Sequence, residues 1–211
     1  MIQSGRARVL VLSFAALILV FPQLAEAQDA PREHDGGILI RLSLGVGSAS
    51  ASRDLDPAED AGEKFEMDEV GGNHNLAIGG IVGGKVALHA TVFGWTVRNP
   101  NYDLDGRSQQ QISGVASLNA LGGGATWYFT RHNFYLSGSV GIAWLSLKED
   151  RRVLDTSTGG AVDLTFGKEW WASDRWGLGV AIGLQGYNIP SAGEDDFQGG
   201  SASLRFSATF N

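Results

Sequence analysis

Cysteine is absent from this 211-residue chain, methionine occurs twice and proline five times. The lack of thiols excludes disulfide staples, zinc–cysteine sites and thiol chemistry, and it fits an oxidising compartment entered without cross-links. Basic charge is scarce as well: 16 Lys and Arg stand against 23 Asp and Glu, a net charge of −7. That balance leaves no electrostatic case for nucleic acid as a partner. After residue 27 no apolar run approaches the ~18–20 residues that a membrane-spanning helix needs. No metal-ligand spacing, nucleotide loop or internal repeat is present, so the sequence points to no cofactor.

The one long apolar run lies at the start. Arg6 and Arg8 precede a 13-residue apolar stretch from Val9 to Phe21, broken only by Ser13, followed by Pro22 and the small-x-small pattern Ala25-Glu26-Ala27. This is the layout of a secretory signal peptide over residues 1–27, with cleavage expected before Gln28. Thirteen residues rise only about 20 Å as a helix, short of a ~30 Å hydrocarbon core. Loss of Arg6, Arg8 and Glu26 would leave 14 basic against 22 acidic residues. Residues 28–36 read as a flexible tail and 37–211 as one domain.

Within that domain the recurring pattern is period two. Ile38, Ile40, Leu42, Leu44 and Val46 alternate with Arg41, Ser43, Gly45 and Gly47. Phe134, Leu136, Val140, Ile142 and Trp144 alternate with Tyr135, Ser137, Ser139, Gly141 and Ala143. The same holds for Trp176–Gln185 and for Ser203–Phe210. Each segment reads as a strand with one bulky apolar face and one small or polar face. Weaker patterns at 74–84, 85–97, 113–129 and 159–171 bring the expected number to eight.

The connections alternate too. Short links at Gly83-Gly84-Lys85, Thr130–Asn133 and Ser173–Arg175 separate long polar stretches at about 52–72, 98–112, 148–158 and 188–199. Tight turns at one end and longer loops at the other predict an all-β, eight-stranded antiparallel up-and-down transmembrane barrel.

Such a barrel can face either way. A soluble lipocalin-like carrier turns its apolar face inward around a ligand; a membrane barrel turns it outward to lipid. Here an inward apolar set would leave a glycine-rich exterior, so the lipid-facing arrangement is expected. Aromatics gather at strand ends, as interfacial girdles do. The expected girdle comprises Trp127, Tyr128, Trp170, Trp171 and Trp176 near the short turns, with Trp95 and Trp144 near the long loops. Phe134 to Trp144 would span about 25 Å at ~3.3 Å per residue and a tilt near 40°.

Phe210 stands at the end of the last strand, one position before Asn211. The chain resembles small eight-stranded outer-membrane β-barrels such as outer membrane protein X and the OmpA transmembrane domain. The segments Gly167–Trp171 and Trp176–Val180 look like the last hairpin of such barrels. The resemblance is architectural and brings no catalytic motif. It implies an outer-membrane location, contact with outer-membrane lipid and lipopolysaccharide, and Phe210 as an insertion signal read by the barrel-insertion machinery.

The lumen of eight strands is only wide enough for side chains, so charges inside it should be paired. Arg41 and Arg205 are expected to be neighbours across the closing seam. We expect them to form an ion-pair plug with Glu169, with Asp163 farther up. Lys168 shares the apolar parity and should snorkel to headgroups at the turn-side interface. Acidic residues in loop one (Asp54 to Glu69) and loop four (Glu194 to Asp196) could share one rim and seat divalent cations, although their spacing matches no known calcium loop. For a lipid A-modifying enzyme, only His74 stands at the loop end of a strand, with Ser48, Ser50 or Ser52 able to approach. The expected function is non-enzymatic, in envelope integrity or surface interaction through the acidic loops. A lipid A-modifying enzyme and a soluble periplasmic carrier are the alternatives.

Overall fold

In the computed structural model the described residues are 37–54, 64–104, 109–129, 131–149, 152–191 and 194–211. The expected leader and tail, the middle of loop one (55–63) and the tip of loop four (192–193) lie outside them. Eleven strands follow one another: β1 (Gly37–Asp54), β2 (Lys64–Val82), β3 (Val86–Arg98), β4 (Asn101–Leu104), β5 (Gln109–Gln111), β6 (Val115–Phe129), β7 (Phe134–Glu149), β8 (Arg152–Asp155), β9 (Gly159–Trp171), β10 (Trp176–Ser191) and β11 (Glu194–Phe210). Eight of them run antiparallel around a ring in the order β1-β11-β10-β9-β7-β6-β3-β2, and β1 pairs with β2 to close it. No sheet edge is left along the barrel, as a hydrocarbon environment requires. The short β4 and β5 extend from β2, and β8 pairs with β7.

The tight turns follow from local chemistry. Gly83 and Gly84 adopt φ of +67° and +74° between β2 and β3, a left-handed conformation that glycine enters without a Cβ clash. Asn133 takes φ +54° in the turn before β7, one of the few side chains that tolerate that region. The Gly167–Trp171 and Trp176–Val180 segments form the β9–β10 hairpin, which is the penultimate one and not the last: β10 and β11 make the last hairpin, paired up to Ser191↔Glu194.

The two faces are sorted as the alternation predicts. Ile38, Leu44, Val46, Val140, Ile142 and Ile182 are 56–65% exposed, whereas Arg41, Ser43, Ser137, Asp163 and Arg205 are at most 2% exposed. A soluble carrier with an apolar interior is therefore ruled out across this band, since bulky aliphatic rows facing water are stable only against acyl chains.

The long loops are corrected. β1 and β2 pair without a break from Gly37↔Ile81 up to Asp54↔Lys64, and β10 and β11 reach Ser191 and Glu194. Strand structure thus continues well past the apolar band, because ladder hydrogen bonds need no lipid. What changes is the sense of the alternation. Along β1 the outward side passes from Ile38, Ile40, Leu42, Leu44 and Val46 to Ser48, Ser50 and Ser52, while the inward side passes from Arg41 and Ser43 to Ala49 and Ala51. Along β2, Glu66 and Asp68 are exposed and Met67 is buried. Polar residues on a water-facing strand read as a loop in the sequence, which is why these extensions were expected as loops.

The interior is consequently layered. At the short-turn end Leu39, Ala87, Tyr128, Tyr135 and Ala181 form an apolar floor. A polar layer fills the middle. Above it, Phe93, Trp95, Val97, Leu118, Tyr187 and Ile189 pack with alanines from β1, β6, β7 and β9 into an apolar roof.

If this sorting sets stability, Ile182→Arg should cost about 2–4 kcal/mol in urea unfolding from liposomes, the depth-dependent penalty of a cation at the bilayer centre. Gln198→Arg, exposed and outward but above the inversion, should stay within about 0.5 kcal/mol of the unaltered chain.

Candidate functional site

The polar layer is built from inward positions of seven of the eight barrel strands beside β6's Thr126. Asp163 of β9 is its centre. Its Oδ2 accepts from Arg205 Nη2 at 2.7 Å and from Gln185 Nε2 at 3.0 Å, and its Oδ1 accepts from Thr165 Oγ1 at 2.9 Å and Asn75 Nδ2 at 3.1 Å. Arg205 also donates to Thr165 Oγ1 at 2.8 Å and Ser203 Oγ at 3.0 Å. Both members of the pair are essentially buried, at 0% and 1% side-chain exposure. Asn75 sits on β2, four strands around the ring from β9, so its hydrogen bond to Asp163 spans the lumen.

A second set lies around Arg41. Its Nη2 donates to Ser137 Oγ at 2.8 Å and Thr126 Oγ1 at 3.1 Å, and its guanidinium carbon is 4.5 Å from the centre of the Tyr135 ring. His89 Nε2 lies 3.1 Å from Thr126 Oγ1. Ser137 is on β7, again four strands from β1. A third bond joins Thr209 Oγ1 to Glu169 Oε1 at 2.5 Å.

Room for these groups is made by residues without side chains. A Cβ on Gly183 would overlap the Arg205 guanidinium, and one on Gly167 would come within 2.6 Å of the Tyr135 ring. Glycines on the inward face are thus the sockets of the large side chains opposite them.

The expected plug residues all face the lumen, but their pairing differs from expectation. Arg205 pairs with Asp163, and Glu169 is held by Thr209. Arg41 and Arg205 are not level across the seam: Arg41 is opposite Thr209, and Arg205 is opposite Gly45, four positions along β1. The shear of a closed barrel separates residues whose sequence distances from the strand ends look alike. Asn73, Asn75, Thr165, Gln185 and Ser201 were absent from the expected set, although their inward parity identifies them; charge alone drew attention to the other four.

The girdle is also revised. Trp127 and Trp176 are 56% and 48% exposed, and Trp144 and Trp170 share the outward parity. Phe210 packs edge-on against Trp176 with centroids 5.3 Å apart. Tyr128, Trp171 and Trp95, by contrast, are 2%, 8% and 1% exposed and face inward. Proximity to a strand end suggested a girdle, but parity decides the face: Trp95 has the parity of His89 and Thr91, so it lies inside. Lys168 faces outward at the turn side, 5.4 Å from both the Phe134 and Trp170 rings.

Of the expected cation rim, Asp56, Glu59, Asp60 and Glu63 fall outside the described residues. Among the described residues no group of three His, Asp or Glu side chains is placed to hold a metal ion. His74 is half-buried and faces outward beside Gly94. Ser48 is paired with Val70, four positions along β2 from His74, or about 13 Å at ~3.3 Å per residue.

Among solved structures, the chain is similar to several outer-membrane proteins at low sequence identity. Neisserial surface protein A superposes with a TM-score of 0.53 at 9% identity, covering 84% of this chain and 99% of its own. The outer membrane protein OprG from Pseudomonas aeruginosa gives 0.49 at 16% identity, covering 85% and 98%. The outer membrane protease OmpT from Escherichia coli gives 0.44 at 9% identity, covering 89% and 99%. This chain is a transmembrane β-barrel of outer-membrane type. No protein-family model matches the sequence, and no curated sequence is detectably similar to it.

Breaking the central pair should be severe. Asp163→Leu strands the buried Arg205 cation and should cost about 3–5 kcal/mol in urea unfolding, whereas adding Arg205→Leu should recover most of that loss.

Proposed function

We propose that this chain is a non-enzymatic outer-membrane barrel that serves the envelope through its outer end, as a surface-interaction protein whose lumen conducts no solute. The observation that carries this reading is the filling of the lumen at every level. Tyr128 and Tyr135 occupy the floor, the Arg205–Asp163 pair crosses the middle, and Phe93, Trp95, Leu118 and Ile189 close the roof, all at 0–2% exposure. Interiors packed in this way leave few voids larger than a water molecule.

The outer end is where the chain offers surface. β1, β2, β10 and β11 continue beyond the apolar band, and the acidic stretches of loops one and four are carried on these extensions. Against lipid A chemistry stands the wide separation of His74 from Ser48, since a nucleophile and its base must come within hydrogen-bond reach. The hydroxyls of Ser50 and Ser52 are directed to the carbonyls of Gly200 and Gln198.

Reconstituted into planar bilayers, the barrel should show no steady conductance, and Glu169→Gln should open none. Sustained single-channel steps in the unaltered protein would overturn the sealed-lumen reading. Lipid A from cells with and without the protein should have the same mass; a protein-dependent acyl or headgroup change would overturn the non-enzymatic one.

A further inference from the structure

Above the apolar roof the barrel wall encloses a cup that the sealed lumen does not explain. Its volume is about 350 Å³, and it opens at the outer end. Trp95 lies at its base, where its ring is 6.4 Å from that of Tyr187. Phe65 and Tyr102 form one wall, stacked at 5.5 Å and 30°, and Phe197 meets Phe65 edge-on at 6.4 Å. Met67 and Leu145 add to the apolar lining, and Ser146 and Thr156 also border the cup. The Arg53 guanidinium, which also borders the cup, lies 4.8 Å from the Phe197 ring centre.

Three features make this a binding site in chemical terms. The cup lies where the strands have left the hydrocarbon, so its apolar lining cannot be accounted for by lipid contact. Its volume falls at the lower end of the ~300–1,000 Å³ range of small-molecule sites, which are typically concave, apolar and preformed. Its walls are flat ring faces from β2, β4 and β11, brought together by the Phe65↔Leu104 pairing of β2 with β4. Flat walls favour offset-stacked or edge-on contact with another ring.

We propose that this cup binds a planar ring compound of about two fused rings, given that a cavity of about 150 Å³ holds benzene. The inference deepens the reading of the outer end as the working face and rests on it. It predicts ring compounds over flexible acyl chains, because an acyl chain gains no ring stacking and loses more conformational freedom on being confined.

Met67 provides the readout, being one of only two methionines, Met1 being the other. With methionine methyl groups labelled with carbon-13, the full chain in lipid nanodiscs is dialysed against naphthalene so that the free concentration is fixed. The Met67 signal, assigned by its loss in Met67→Leu, should shift upfield and saturate. Dodecane at equal free concentration should leave it in place. Ala51→Trp, which fills the cup from β1, should abolish the naphthalene shift while the barrel keeps its heat-modifiable gel mobility. A linear, unsaturable shift, an equal response in Ala51→Trp, or displacement of naphthalene by dodecane would each overturn the proposal. Conductance is independent of this titration, so failure of the ring-binding site would leave the sealed-lumen reading standing, and a conducting barrel would show itself without any ligand.

Discussion

Every inward and outward choice in this molecule depends on one constraint: a backbone crossing hydrocarbon must satisfy its own hydrogen bonds and present apolar side chains to acyl tails. With eight strands the closed ladder leaves a bore that side chains alone can fill. The greasy residues are committed to the outside, so the interior must be packed with what remains. In this chain that is serine, threonine, asparagine, glycine and a few charges. Buried polar groups are tolerable only when partnered, which accounts for the density of hydrogen bonds on Asp163 and for the lumen-spanning contacts of Asn75 and Arg41. The glycines opposite Arg205 and Tyr135 are the steric counterpart of the same requirement.

Once the strands leave the hydrocarbon the constraint is lifted, and the alternation reverses. Water now faces the outer surface, so serines, Glu66 and Asp68 turn outward while Ala49, Ala51, Met67 and Trp95 turn in. Above its apolar floor the barrel therefore stacks two cores of opposite character along one axis, a polar one in the middle and an apolar one at the outer end. This reversal produces both the roof that closes the lumen and the aromatic cup above the roof.

The fold was legible in the sequence because period-two alternation and the spacing of Gly83-Gly84 and Asn133 are local signals. Strand number, antiparallel order and the lipid-facing set could all be read from them. The upper strand halves were hidden because polar residues alternating with alanine, as in Ser48 to Ser52, resemble a loop unless their parity is followed. The aromatic girdle was half legible: Trp127 and Trp176 share the parity of the aliphatic rows, but Trp95 and Tyr128 share that of the polar set. The interior residues could be named, yet their pairing could not. Whether Arg205 meets Asp163 or Glu169 is set by barrel shear, a property of ring closure that no single strand encodes.

The reversal can be tested directly because the chain has no cysteine of its own. Single cysteines placed in turn at each position from 38 to 52, spin-labelled in liposomes, would be read for collisions with oxygen and with a water-soluble nickel complex. Oxygen access should peak at 38, 40, 42, 44 and 46, and nickel access at 48, 50 and 52, with 39, 41, 43, 49 and 51 shielded from both. Oxygen maxima at 39, 41 and 43, or an oxygen-accessible row continuing through 52, would contradict the account.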